Sequence, residues 1–132
     1  GGVTCQIEHV GGDHASDAVV IYVQEDKLLF LGDCFYYTVY QEPQHYTKPK
    51  LLDLIDTLEQ FNADTFIMGH AGIIITQSDI EKEFALIRAC YHLLHLYGVE
   101  KSEVIAEELK RHYEPDYVDD YLRTILAGLA IS

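Results

Sequence analysis

Apolar positions change their period once along this chain. Up to about residue 76 they come in short runs of strand formers broken by Gly, Asp and Asn; beyond it they recur every three to four residues. Val3 to Val10 reads as an opening strand. Ala18-Val19-Val20-Ile21-Tyr22-Val23 and Leu28-Leu29-Phe30-Leu31 flank Gln24-Glu25-Asp26-Lys27, whose turn composition makes the two runs a hairpin. Phe35 to Tyr46 is aromatic, irregular and interrupted by Pro43. Thr47-Lys48-Pro49 then opens a helix with Leu51, Leu54, Ile55 and Leu58 on one face, and Asn62 is a common stop. Thr65-Phe66-Ile67-Met68 has the look of a short buried strand. Ser78-Asp79-Ile80-Glu81 is a capping box, followed at helical spacing by Ile80, Phe84, Ile87, Tyr91 and Leu94 up to Gly98. Two more helices are predicted, one from Ser102 with Val104, Ile105 and Leu109 inward. The other follows Pro115, with Val118, Tyr121, Leu122, Ile125 and Leu129 inward.

Strand, helix, strand in this order predicts an α/β fold, one sheet layer with a helix over its outer face. A single domain over 1–132 is expected, with sheet, helix and the candidate chemistry in 1–75 and a helical part in 76–132. A content of 48% hydrophobic and 23% charged residues is ordinary for a globular chain. The formal net charge of −13 argues against nucleic acid or an anionic membrane as partner. Cys5, Cys34 and Cys90 are odd in number and form no C-x-x-C pair, which points to the reducing cytoplasm. No stretch approaches the ~20 apolar residues of a membrane span, and no cationic leader precedes Gly1-Gly2.

Three polar residues leave strand ends beside glycines: His14 in Gly12-Asp13-His14, Asp33 in Gly32-Asp33, and His70 in Gly69-His70. A hairpin turning at Glu25 and Asp26 brings its open ends together, so His14 and Asp33 are expected within a few ångströms of each other, about the reach of one shared ion. His70 joins them if its strand lies beside the hairpin. Neutral ring nitrogens and a carboxylate suit a divalent metal. Each residue alone has a plainer reading: His14 a hydrogen-bonded loop histidine, Asp33 a turn residue, His70 a polar cap on a strand. Their joint placement favours ligands. Asp13 and Asp17 either orient His14 or solvate its loop, and His9 is a stray ligand or, as its place on an alternating strand favours, faces solvent or a hydrogen-bonding neighbour. Cys34 is expected to point away from Asp33. Tyr36, Tyr37, Tyr40, His45 and Tyr46 follow Asp33 as substrate contacts or structural residues, and His92, His95 and His112 read as surface or packing residues.

With the strand after it, Gly12-Asp13-His14 resembles the third metal motif of the metallo-beta-lactamase superfamily. Phe30-Leu31-Gly32-Asp33 resembles its fourth and Met68-Gly69-His70 its fifth. The resemblance covers roughly the first three fifths of the chain. The family's H-x-H-x-D-H cluster is not among these residues, so the resemblance is to the C-terminal half alone, and the Gly1-Gly2 start fits a cloning scar or a processed end. It implies half of an αββα sandwich, a small mixed sheet with covering helices and an all-helical C-terminal extension. It further implies Asp33 as the catalytic, bridging metal ligand, with His14 and His70 as one ligand each. The implied cofactor is zinc, two ions per intact site, although a mixed nitrogen and oxygen site also accepts iron or manganese. The implied reaction is attack by a metal-bound hydroxide on an ester-, thioester-, amide- or phosphoester-type bond of a small-molecule substrate, with the fragment alone inactive. Half a sandwich also needs a cover for its sheet, from the missing N-terminal half or a second copy in a homodimer. The alternative is a non-catalytic binding or oligomerisation module built on the same half-domain and helical tail.

Overall fold

The computed structural model describes residues 2–38, 41–69 and 72–131. Among them a five-stranded sheet runs in chain order: β1 (Cys5–His9), β2 (Val19–Val23), β3 (Leu28–Gly32), β4 (Thr65–Met68) and β5 (Ile74–Thr76). The helices are α1 (Lys48–Glu59), α2 (Gln77–Tyr97), α3 (Ser102–Leu109) and α4 (Pro115–Ile131). The sheet is mixed, since β3 and β4 pair in parallel across the α1 crossover while the other neighbours are antiparallel. The predicted hairpin is present, with Ile21 opposite Phe30, Tyr22 opposite Leu29 and Val23 opposite Leu28.

One sheet face carries the core. Val20, Tyr22, Leu29, Leu31 and Phe66 are buried with Leu51, Leu54, Ile55 and Leu58 of α1 and with Ile80, Phe84 and Ile87 of α2. Those two helical stripes fall where the spacing places them, because residues three and four apart share a helix face. Val118, Tyr121, Leu122 and Ile125 of α4 join the same core.

Several boundaries differ from the expectation. β1 is shorter than Val3 to Val10, and α1 ends at Glu59, before Asn62. The Ser78 capping box does not start α2. Thr76 does, its side-chain oxygen accepting the Asp79 N–H at 3.2 Å, so Ser78 lies inside the first turn. β5 was not expected. Val104 is exposed rather than inward: Ile105 and Leu109 sit one turn apart on the buried face, and Val104 lies about 100° round the helix from Ile105.

The opposite sheet face is apolar, and none of the described residues covers it. Ile7, Ile21, Phe30, Ile67 and Ile74 stand in successive register across the strands as one row. Its end members Ile7 and Ile74 are 68% and 69% exposed, and Ile21 and Phe30 are exposed as well.

Candidate metal centre

His14 sits in the loop between β1 and β2. That loop is closed at its base by the Val10 and Gly11 N–H groups, which donate to the Ala18 carbonyl at 2.9 and 3.1 Å. His9 braces it from inside, its Nε2 donating to the Ser16 carbonyl at 2.7 Å, so His9 is the hydrogen-bonded neighbour and not a stray ligand. Asp13 ties the loop to the helical layer: its Oδ2 accepts the Thr47 N–H at 2.8 Å at the start of α1. Asp13 thus anchors the backbone beside His14, while Asp17 is exposed.

The motif glycines set how closely the strand ends approach. Gly12 has φ +120, and a Cβ there would lie 2.9 Å from the Cys34 carbonyl oxygen. Gly69 donates its N–H to the Gly32 carbonyl at 2.8 Å, and a Cβ on it would meet Asp33 Oδ1 and the Gly32 backbone at 2.7 Å. Only a residue without a side chain fits between β3 and the end of β4.

This packing brings His14 Nε2 to 3.8 Å from Asp33 Oδ2. The imidazole is mostly buried and the carboxylate is 44% exposed, so the pair opens to solvent on the Asp33 side. The other ring nitrogen, Nδ1, lies 3.4 Å from the Tyr37 carbonyl, an acceptor only, so Nδ1–H donates there and Nε2 is the nitrogen that faces the carboxylate. With the ring neutral, an imidazole nitrogen and a carboxylate oxygen, both donor types that a divalent metal takes, stand side by side. Donor atoms ~2.0–2.2 Å from one tetrahedral zinc lie ~3.4 Å apart, and ~4.3 Å is the limit for any angle. The observed separation falls inside that range, so the pair fits a metal in chemistry and in spacing. His70, the third predicted ligand, lies outside the described residues. Among the described residues no three His, Cys, Asp or Glu side chains gather at metal-binding spacing.

Around the pair, Cys34 is fully buried and its thiol is pushed up to about 12 by burial, so it keeps its proton and offers no thiolate to Asp33. Tyr36 meets the His14 ring edge-on at 5.5 Å and stacks on Tyr37 at 4.5 Å; Tyr37 leads on to Tyr46, and Tyr46 to Tyr121. The Tyr36 hydroxyl is raised in pKa, first by its hydrogen bond to Tyr37 and then by burial. His45 and Tyr46 are buried and structural. The His45 ring Nδ1 donates to the Pro43 carbonyl at 2.8 Å, and the Tyr46 N–H donates to the Thr124 carbonyl at 3.2 Å, which straps this segment onto α4. Tyr40 lies outside the described residues. His92 and His95 are exposed on α2.

A cavity of about 960 Å³ opens beside this aromatic series, between the 35–37 segment, β5, the start of α2 and the start of α4. Sequence reasoning did not find it. Its walls combine Tyr36 with Glu83, Asp116 and Tyr117, which are brought together only by packing.

The fold is similar to that of a protein described as the first crystal structure of an archaeal metallo-beta-lactamase superfamily protein, ST1585 from Sulfolobus tokodaii. The TM-score is 0.53 at 13% identity, over 100% of this chain and 48% of that one. A metallo-beta-lactamase from Pontibacter korlensis matches at TM-score 0.47 and 24% identity, over 64% of this chain and 41% of that chain. The DIM-1 metallo-beta-lactamase matches at 0.43 and 24%, over 62% and 43%. No protein-family model matches the chain, and no curated protein matches it significantly. The likeness establishes the fold: this is one half of a metallo-beta-lactamase-like α/β architecture, a mixed sheet with its helices on one face. The chain spans less than half the length of these solved structures. No helix among the described residues is long and apolar enough to cross a membrane.

Proposed function

We propose that this chain is the C-terminal half of a metal-dependent hydrolase of the metallo-beta-lactamase superfamily, with His14, Asp33 and His70 as metal ligands. The observation that carries the reading is the His14 Nε2 to Asp33 Oδ2 separation of 3.8 Å, with Nδ1 turned to the Tyr37 carbonyl. The fold likeness supports the superfamily. A divalent ion, zinc in first place, would be held by His14 and Asp33 with His70, and would supply the Lewis acidity that activates a water for hydrolysis. The chain's own residues do the rest. Tyr37 fixes the His14 tautomer, Asp13 anchors the loop to α1, and the carboxylate of Asp33 offers two oxygens on the solvent-open side. The substrate is a small molecule with an ester-, thioester-, amide- or phosphoester-type bond.

The remaining ligands come from a second layer that also covers the Ile7-Ile21-Phe30-Ile67-Ile74 row, either an N-terminal half or a second copy of the chain. The exposed apolar row supports that requirement. It equally supports the alternative, a non-catalytic assembly module. Three free cysteines, two of them buried, accord with a cytoplasmic setting.

Calorimetric titration with zinc separates hydrolase from assembly module. Zinc binding that Asp33→Ala and His14→Ala each abolish, without loss of the circular-dichroism spectrum, is the expected result. In the protein with both layers, Asp33→Ala abolishes hydrolysis as well. No zinc binding, or zinc binding indifferent to both substitutions, overturns the assignment.

A further inference from the structure

The cavity beside the His14–Asp33 pair has a definite chemistry. Asp79, Glu83, Glu114, Asp116 and Asp120 line it, against Lys82 and His112 as the basic side chains on its wall among the described residues. His112 is already engaged, its Nε2 lying 3.6 Å from Glu108. Tyr36, Tyr37 and Tyr117 give the wall aromatic surface, and Ile73 and Ile75 an apolar floor. A phosphate or carboxylate entering here would meet like charge on several sides, with Lys82 as its main partner.

A cation of the chain itself, half exposed beside the cavity, already pairs with two of its wall residues. The Arg123 guanidinium lies 5.8 Å from the Tyr37 ring centroid and donates to Asp120 Oδ1 at 2.7 Å, so a positive group is held between a tyrosine ring and a carboxylate. Glu83 stands on the same wall, hydrogen-bonded to Tyr121 and partly buried. A carboxylate drawn partly out of water, with one hydroxyl partner, gains more from an incoming cation than an exposed one does.

We propose that this cavity selects a substrate bearing an ammonium-type cation, seated between tyrosine rings and the carboxylates of Glu83 and Asp116, with the bond to be cut directed to the His14–Asp33 centre. The proposal rests on the hydrolase reading for what happens to the substrate, and on the cavity alone for what binds. Continuity comes from Tyr36, which lines the cavity and touches the His14 ring.

The test is an NMR titration of the metal-free chain with benzyltrimethylammonium, neutral benzyl alcohol and the anion benzenesulfonate. The expected result is that the cation shifts the Tyr36 and Tyr117 ring signals and binds roughly tenfold more tightly than the alcohol, with no binding of the sulfonate. Glu83→Gln combined with Asp116→Asn weakens the cation roughly fivefold. Equal affinity for alcohol and cation, binding of the sulfonate, or absence of cation binding overturns the proposal. The probe comparison uses the unmodified protein, so it decides the matter even if the double variant fails to fold. Because no metal is present, failure here leaves the zinc result standing, and a failed zinc titration leaves this one standing.

Discussion

Gly69→Ala tests whether the strand-end glycines hold the candidate centre together. A Cβ at Gly69 would stand 2.7 Å from the Gly32 carbonyl carbon and oxygen and from Asp33 Oδ1. Ordinary contact begins at 3.4 Å, so the end of β4 must withdraw from β3 by about 0.7 Å. Two of the three obstacles are backbone and cannot rotate away. The same displacement stretches the 2.8 Å hydrogen bond from the Gly69 N–H to the Gly32 carbonyl to the edge of bonding distance. Overpacking costs about 1–3 kcal/mol and the weakened bond about 1 kcal/mol, offset by about 0.5–1 kcal/mol from the stiffer unfolded chain. The net destabilisation is about 2 kcal/mol, which for a chain of this size lowers Tm by roughly 6–10 °C. Thermal and urea unfolding measure it, and zinc titration of the folded variant should show affinity down by about tenfold to a hundredfold, as for loss of a group that orients a ligand. A variant within about 0.5 kcal/mol of the parent, with unchanged zinc affinity, refutes the close approach as the element that builds the site.

Three other outcomes follow from the same structure. Burial lifts the Glu83 carboxyl above its ordinary value of 4.5, so the folded state prefers the protonated form; that stabilising contribution is complete below pH 4.5 and is lost as pH rises through the raised value. Glu83→Gln should therefore gain stability relative to the parent as pH increases from 4.5 to 8, and parallel urea-unfolding curves for the two across this interval would contradict the burial argument. Cys34 and Cys90 are buried, with thiols lifted to about 12, whereas Cys5 is exposed. Iodoacetamide should modify Cys5 alone in the folded protein and all three after unfolding, as read by mass spectrometry, and rapid native labelling of Cys90 would be inconsistent with this packing. Ile21→Lys places a charge in the middle of the uncovered apolar row, so the variant should sediment as a monomer where the parent chain self-associates; a parent that is already monomeric at micromolar concentration rules out a second copy as the cover.

The hairpin and the α1 stripe were legible because each depends on a local period: two residues in a strand, nearly four in a helix. The His14–Asp33 approach followed from the same rule, since a turn at Glu25 and Asp26 dictates which residues share the open end. β5 was not legible. Its three residues, Ile74 to Thr76, are strand only because they pair back onto β4, and an apolar run that short reads equally well as the approach to α2. The anchoring of Asp13 on Thr47, 34 residues away, and the meeting of Glu83 with Tyr121 depend on packing between distant segments, which no local pattern encodes.

β2 and β3 carry a further argument in their composition. A strand in an antiparallel pair with one face in water should alternate apolar and polar residues. Val19-Val20-Ile21-Tyr22-Val23 and Leu28-Leu29-Phe30-Leu31 do not alternate, and continuous apolar runs of this kind belong to strands covered on both faces. One set, Val20, Tyr22, Leu29 and Leu31, lies under the helices. The other set, with Ile21 and Phe30 at its centre, continues through Ile7 and Ile74 across the whole sheet and meets no layer in this chain's described residues. A row of five large apolar side chains costs free energy in water in every strand that carries it, so the pattern is that of a buried surface. Under the hydrolase proposal the layer that would remove this row from water is also the one that would bring the remaining ligands, which ties completion of the core to completion of the centre.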